Sequence, residues 1–599
     1  MKLRFTGTFE ELKEALSPIA GDGGWIELNE NQMQFRHSSG GILNWFPSTG
    51  TISFQGRIDD QEKLVKVVAP LLSPDQILTF SAETEKDSKP EDTNTHPAVP
   101  PSKLNDEFLG QAFADSELVI ALVGAVGTEL GKVSEILKSR LMTFGYTRTE
   151  IHVSTDVIPL MVADGIDASD EYARISSLMT AGNEARKLSG DNSVLALGTA
   201  AKIGEGRSGD EPLRRKSAYI INSLKHPEEV ARLREIYTDG FYLVGVYSDE
   251  KRRRNYLKND KRIRPDLADL LIDRDADEHL KHGQRTSDTF HLADFFIHMD
   301  EHQDKIKNSL WRVLDIIFGD PYRTPTFDEY AMFLAFAASL RSADLSRQVG
   351  AVITKRQEII STGANDCPRY GGGLYWPEYQ PINKEIEDAV LGRDYKRGED
   401  SNKAEKEKII ENILERLGAE GQNRTKMLQD LKASKIHDIT EYGRVVHAEM
   451  EALLSCARSN ISSRGATLYS TTFPCHNCAK HIIAAGIERV VYVEPYPKSK
   501  AAEFHSDSIT LGFSESSNTV RFEPFVGVGP RRFFDLFSMH LGSGYPMKRK
   551  DEQGLTLDWK PEGSKLRIQL LPCSYIELET LAAAMFDQYR RKTHHEDKR

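Results

Sequence analysis

Apolar and polar positions divide the chain into segments of different period. Leu12, Ala15 and Leu16 form one stripe behind a Thr8/Glu11 capping box, which predicts a helix. Short strand-like runs follow at Trp25–Leu28, Met33–Phe35, Gly41–Trp45 and Thr51–Gly56, with a turn at Pro47–Gly50. A second helix, about Asp60 to Leu72, closes this unit, so residues 1–80 read as a small α/β domain. From 81 to 112 the pattern gives way to polar, Pro-rich sequence (Lys89-Pro90, His96-Pro97, Pro100-Pro101), as expected of a disordered linker. The continuous apolar run Glu117–Val123 then reads as a buried parallel strand, with a helix at Val133–Phe144 behind it. Ser193–Leu197 and Phe241–Tyr247 read as later strands, which makes 113–320 a doubly wound α/β domain.

A second α/β pattern occupies 325–540. It predicts a helix at Phe327–Leu345, strands at Gln348–Ile353 and Glu358–Gly363, and a helix at Val445–Ala457. A strand at Ala466–Ser470, a helix at Cys475–Ala485 and a strand at Arg489–Val493 complete it. A Glu/Lys-rich insertion at 384–436 predicts solvent-facing helices, and 541–599 is a C-terminal extension. The fold class is thus multidomain α/β, since a chain of 599 residues exceeds the roughly 250–300 that one core sustains.

Composition narrows the setting. No run approaches the roughly 20 apolar residues of a membrane-spanning helix, and the N-terminus lacks the apolar stretch of a secretory signal. Five scattered cysteines do not make a disulfide framework, whereas Cys475 and Cys478 form a close pair; a reducing cytoplasm fits. A formal net charge of −12 argues against a large non-specific grip on a nucleic-acid backbone but leaves room for a small nucleotide.

The chemistry concentrates at two places. His447-Ala448-Glu449 enters a helix, and Pro474-Cys475-His476-Asn477-Cys478 enters another. An imidazole and two thiolates supply three corners of a tetrahedral zinc site, and the fourth stays open for water. The metal can lower that water's pKa towards roughly 7. Glu449, two residues from His447, can reach the water without being a ligand, which suits a proton shuttle. His476 and His481 are the candidates for a fourth ligand and are expected to face away. The pairing resembles the signature of zinc nucleobase deaminases.

The second place is Gly124-Ala125-Val126-Gly127-Thr128-Glu129-Leu130-Gly131-Lys132-Val133, a degenerate phosphate-binding loop. Gly131 and Lys132 fit the Walker pattern. Val126 stands at the first glycine position, and Val133 replaces the magnesium-binding hydroxyl. Gly124 and Gly127 still allow backbone N–H groups to cradle a phosphate, so a nucleotide-binding or regulatory domain is expected rather than an active kinase. Arg252-Arg253-Arg254 resemble a kinase lid.

Longer resemblances refine these readings. The stretch Phe327–Val493 resembles the deoxycytidylate deaminase branch of the cytidine deaminase fold. It does so through Ser346–Ile353, Ser361–Pro368, His447–Glu449 and Leu468–Cys478. The resemblance implies a three-layer α/β domain and nucleotide contacts from Asn365, Ala448 and Arg347. The alternative for Asn365 is a left-handed turn residue. From Leu118 onward the arrangement is similar to bacterial anti-phage dCTP deaminases, with further marks at Tyr219–Pro227, Glu494–Ser499 and Phe522–Arg532. That implies conversion of dCTP, dCMP or both to deoxyuridine nucleotides, a homo-oligomer, and a phage, RNA or protein regulator. The N-terminal unit resembles a TBP-type fold, and its Thr51–Gly56 hairpin resembles that of type III ribonucleases H. Two rival functions remain at this point: deamination of single-stranded nucleic acid, and nucleotide or phage sensing with a subordinate deaminase.

Overall fold

The computed structural model describes residues 2–79 and 115–596, apart from 6–7, 30–31, 39, 47–50, 56–57, 69–70, 72–76, 163–165, 206, 208–213, 277–281, 300–301, 383, 440, 497–498, 514–517, 541–546 and 569–571. The expected linker at 81–112 and the turn at Pro47–Gly50 lie outside the described residues. The chain divides into two compact units, 1–98 and 99–599. No helix among the described residues is long and apolar enough to cross a membrane.

The first unit is an antiparallel sheet of strands β1 (Lys2–Phe5), β2 (Gly23–Asn29), β3 (Gln32–His37), β4 (Ile42–Phe46), β5 (Thr51–Gln55) and β6 (Ile77–Thr79). Their order is β2-β3-β4-β5-β1-β6. Helix α1 (Phe9–Ala15) starts at the Thr8/Glu11 capping box, and α2 is Ile58–Val68. Leu12, Phe35, Leu43, Ile52 and Leu64 form the apolar centre. Strands β1, between β5 and β6, and β6, at the edge, are too short to show a period of their own and escape the sequence reading.

The second unit carries two sheets. One contains β7 (Leu118–Val123), β8 (Thr147–His152), β9 (Ser217–Asn222), β10 (Phe241–Tyr247) and β11 (Phe295–His298), all parallel. Helix α3 (Leu130–Thr143) follows β7 and buries Val133, Leu137 and Leu141. The expected strand at Ser193–Leu197 is a helix, α4 (Val194–Gly204). Its Val194, Leu195, Ala196 and Leu197 are all buried. A fully buried helix has no polar face to display a 3.6-residue period, so its apolar run imitates a central strand. Ala and Leu, rather than β-branched residues, favour the helix.

The other sheet contains β12 (Gly350–Lys355), β13 (Glu358–Ala364), β16 (Thr467–Thr472), β17 (Arg489–Glu494), β18 (Ile509–Leu511) and β19 (Val520–Pro524), in the order β13-β12-β16-β17-β19-β18. Between β13 and β16 lie a small hairpin, β14 (Glu378–Gln380) and β15 (Glu385–Glu387), and the insertion's helices Ser401–Arg416 and Gly421–Ala433. The second of these buries none of its residues. The stretch before them is not a solvated surface, however: Asp388, Arg393 and Asp394 are buried.

Helix α5 (Phe327–Ser339) ends before the expected Leu345. There the Ser342 hydroxyl donates to Asn365 O at 2.6 Å, and the Asp344 carboxylate accepts from the Ser346 and Arg347 amides. Such local side-chain bonds compete with helix continuation. Glycines set how close the layers come. A Cβ on Gly350 would lie 1.9 Å from Ala335 O in α5, and one on Gly363 would lie 2.1 Å from Ala448 O in helix α6 (Ala448–Arg458). Gly363 pairs with Ala351, one residue from Gly350, so the two glycines face opposite sides and the sheet is sandwiched by α5 and α6.

The two sheets share structure. After β19 the chain forms β20 (Gly527–Val528), which pairs antiparallel with β11 in the other sheet. Glu329 at the start of α5 accepts from Val528 N at 2.8 Å and from Arg312 at 2.7 Å. The last helix, α7 (Pro572–Glu596), packs on α4. Its buried Glu579 accepts from Arg207 at 2.9 Å, and Arg207 also donates to the buried Glu117 at 2.7 Å. Helix α7 thus contributes Tyr575, Ala582 and Phe586 to the core of the first of these sheets.

Gly363→Val forces α6 off the sheet. The expected cost is about 1–3 kcal/mol, read as a lower apparent thermal midpoint, with a parallel loss of zinc per chain because His447 precedes α6 directly.

Candidate metal centre

The residues with metal-binding chemistry come from two helix starts. His447 is the N-cap of α6, with φ −68° and ψ 151°. Val446 before it is bridged to Asp366, the amide of each donating to the carbonyl of the other at 3.0 and 3.3 Å. This extended approach explains why α6 starts at Ala448 rather than at the expected Val445. Cys475 is the N-cap of the helix His476–Ala484, and its sulfur accepts from Cys478 N at 3.4 Å. Pro474 holds the non-helical entry. A Cys-x-x-Cys at this position therefore puts both sulfurs over the first turn, where the positive helix end favours thiolates.

His447 Nδ1 lies 3.3 Å from the sulfur of Cys475 and 3.3 Å from that of Cys478. A tetrahedral zinc with bonds of about 2.0 Å to nitrogen and 2.3 Å to sulfur needs a spacing of about 3.5 Å. The donor set and its spacing fit the ion. Among the described residues these three are the group able to hold a metal. His481 is exposed and uses Nδ1 on Asn477 O at 2.7 Å, while His476 points towards Glu441 at 3.9 Å. Neither completes a four-ligand structural site.

Hydrogen bonding from the Cys478 thiol, with further help from His447, draws the Cys475 thiol down to about 4. The same bond to Cys475 and burial push Cys478 up. Glu449 is buried, and the Cys478 thiol donates to its Oε2 at 3.5 Å. Burial is the main cause that raises its carboxyl above the usual range, opposed by the His447 charge. A carboxylate poised between charged and neutral forms suits proton transfer.

The profile of the cytidine and deoxycytidylate deaminase zinc-binding region matches residues 325–494. The deoxycytidylate deaminase of Enterobacteria phage T2 is 34% identical over 167 residues, covering 28% of this chain and 79% of that protein. That of Mycobacterium phage D29 is 31% identical, covering 28% of this chain and 94% of that protein. The chain belongs to the deoxycytidylate deaminase family. Among solved structures, the dCMP deaminase of cyanophage S-TIM5 aligns with 19% identity and a TM-score of 0.19, covering 34% of this chain and 99% of that one. His447, Cys475 and Cys478 are a group that could hold the zinc of this family.

The other expected residues of the deaminase site fall in different places. Ala448 is fully buried between His447 and Glu449. Asn365 is not in a left-handed conformation. Its Oδ1 accepts from Val349 N at 2.6 Å and its Nδ2 donates to Arg347 O at 2.9 Å, so it braces the loop that carries Arg347. Arg347 itself is half-exposed, lies over the Tyr496 ring at 5.1 Å and reaches towards Glu494 at 4.0 Å. Tyr496 is close to the metal centre in the chain's path, since nearby Ser499 donates to Pro474 O at 2.8 Å. Gly124, Gly127, Gly131 and Lys132 sit on the other sheet, at the β7–α3 junction, and Val133 is fully buried.

Sequence reasoning missed the residues that hold this site from behind. Arg444 donates to Asp394 at 2.6 Å, and Arg393 pairs with Asp366 at 3.2 Å. These contacts pin the insertion to the approach of His447. They join positions about 30–50 residues apart and leave no local signal. Asp344 is different: a Ser-Ala-Asp turn after an apolar helix is a recognisable stop.

Glu449→Gln is expected to retain zinc near one ion per chain while turnover falls by at least a thousandfold. Cys478→Ala is expected to lose most of the zinc. Metal analysis and an ammonia-release assay on the same preparations check both, and equal zinc loss in the two variants contradicts the assigned roles.

Proposed function

We propose that the chain is a zinc-dependent hydrolytic deaminase of deoxycytidine nucleotides, converting dCMP, dCTP or both to the deoxyuridine nucleotide and ammonia. The observation that carries this reading is the pairing of a three-ligand cluster with the buried Glu449 against Cys478. The relatives named deoxycytidylate deaminases support dCMP, and the resemblance noted above to dCTP-consuming enzymes supports dCTP.

Bound by His447, Cys475 and Cys478, zinc supplies Lewis-acid activation of a water. Glu449 accepts that water's first proton and delivers it to the ring nitrogen beside C4 as the water oxygen bonds to C4. Glu449 then takes the second proton from that oxygen and passes it to the amino group, which leaves as ammonia as the C4–N bond breaks and the C4 carbonyl forms. Its burial keeps the transfer away from bulk solvent. Arg347 is assigned to the phosphate side of the nucleotide, because its guanidinium stays half-exposed at a loop held by Asn365. Asn365 and the Ala448 backbone are assigned to the nucleoside side.

Consumption of the deoxycytidine nucleotide pool starves DNA synthesis, and on this basis we assign the protein to antiviral defence. The formal net charge of −12 favours a free nucleotide over a polymer. Incubation of the zinc-loaded protein with dCTP, dCMP, cytidine nucleotides and cytosine-containing oligonucleotides, followed by mass spectrometry, checks the reading. Deoxyuridine nucleotides are expected from dCTP or dCMP. Turnover of oligonucleotides alone overturns it. Arg347→Ala is expected to raise KM tenfold or more with a smaller change in kcat.

A further inference from the structure

The Gly124–Lys132 loop takes no part in the zinc chemistry, and its interior is already occupied. Asp275, on the helix Pro265–Ala276, is 1% exposed and lies against this loop. Its Oδ2 accepts from Val126 N at 2.7 Å. Its Oδ1 accepts from Lys225 Nζ at 2.8 Å and from the Thr286 hydroxyl at 3.1 Å. Lys225 also donates to Gly124 O at 2.9 Å, so the ammonium is fixed to the loop from its other side.

The lid-like segment closes over the same place. Gly127 has φ +83°, and a Cβ there would lie 2.9 Å from Arg253 O. Arg253 donates to Val126 O at 3.3 Å and to Ser248 O at 3.2 Å, while Arg252 pairs with Glu129 at 2.6 Å. Two members of the arginine triplet, Arg252 and Arg253, are thus held against the loop.

A backbone N–H, an ammonium and a hydroxyl converging after a β-strand are the donors that hold a phosphate oxygen. Here a carboxylate holds that position. Phosphate and carboxylate oxygens accept the same charge-assisted bonds. We infer that Val126 N–H, Lys225 and Thr286 form an oxyanion site whose built-in occupant is Asp275, and that a di- or triphosphate chain enters only by displacing it. Displacement frees the helix Pro265–Ala276 from the loop, so phosphate entry and lid release are one event. Lys225, rather than Lys132, is the cation that meets the entering phosphate. This inference does not depend on the deaminase reading.

Calorimetric titration of the full-length, zinc-loaded protein with sodium tripolyphosphate tests it. Asp275→Ala removes the occupant and leaves Lys225 uncompensated. It is expected to bind at least tenfold more tightly than the unsubstituted protein. Asp275→Ala with Lys225→Met is expected to lose that gain. Equal affinity in Asp275→Ala and the unsubstituted protein overturns the inference, as does a gain that survives Lys225→Met. If Asp275→Ala does not fold, Asp275→Asn keeps an acceptor for Val126 N–H, drops the charge and is expected to gain at least threefold; no gain overturns the inference. In the unsubstituted protein, tripolyphosphate at millimolar concentration is expected to speed amide hydrogen exchange within 265–276, and unchanged exchange at saturation overturns the inference.

Discussion

Two cysteine sulfurs, each 3.3 Å from one imidazole nitrogen, form the constraint around which the deaminase sheet is arranged. Such a cluster is costly without an ion, because buried sulfurs and a ring nitrogen must share protons in a dry place. Zinc converts that cost into stability, as its binding free energy adds to that of folding. The cluster exists because two helices begin at the same point. His447 and Cys475 both act as N-caps, and each is held extended by a neighbour outside its helix: Asp366 behind Val446, and Ser499 beside Pro474.

The close packing of α6 on the sheet serves the same end. Only a residue without a side chain fits at Gly363, where the helix backbone comes nearest. The first turn of α6, with His447 before it and Glu449 within it, is therefore seated by backbone rather than by adaptable side chains. The insertion adds a second brace through Arg393, Asp394 and Arg444. An excursion that reads as a solvated ornament is anchored at its root to the metal site.

The parts legible in the sequence were those whose chemistry is local. The two metal motifs, the Thr8/Glu11 cap and the strand Leu118–Val123 each declare themselves within a few residues. Ser193–Leu197 did not, because a helix covered on every side carries no polar face to set its period. Strand β8 has the opposite problem: its exposed Thr147, Arg148 and Thr149 give an edge strand the look of a loop. The role of Asn365 in bracing 347–349 was hidden too, since sequence shows a turn residue but not which backbone groups it meets. Asp275 could not be linked to Val126 from a distance of about 150 residues.

Strand β20 has a consequence for how this molecule is divided. Two residues, Gly527 and Val528, leave the catalytic sheet and complete the edge of its neighbour, where Glu329 at the start of a catalytic-layer helix also binds Val528. A cut between the halves at about 320–325 would strip one sheet of its border and part the buried Glu329 carboxylate from its Arg312 partner. Neither half is an independent cassette, and any gene fusion or shuffling that moves the catalytic layer must carry its neighbour along.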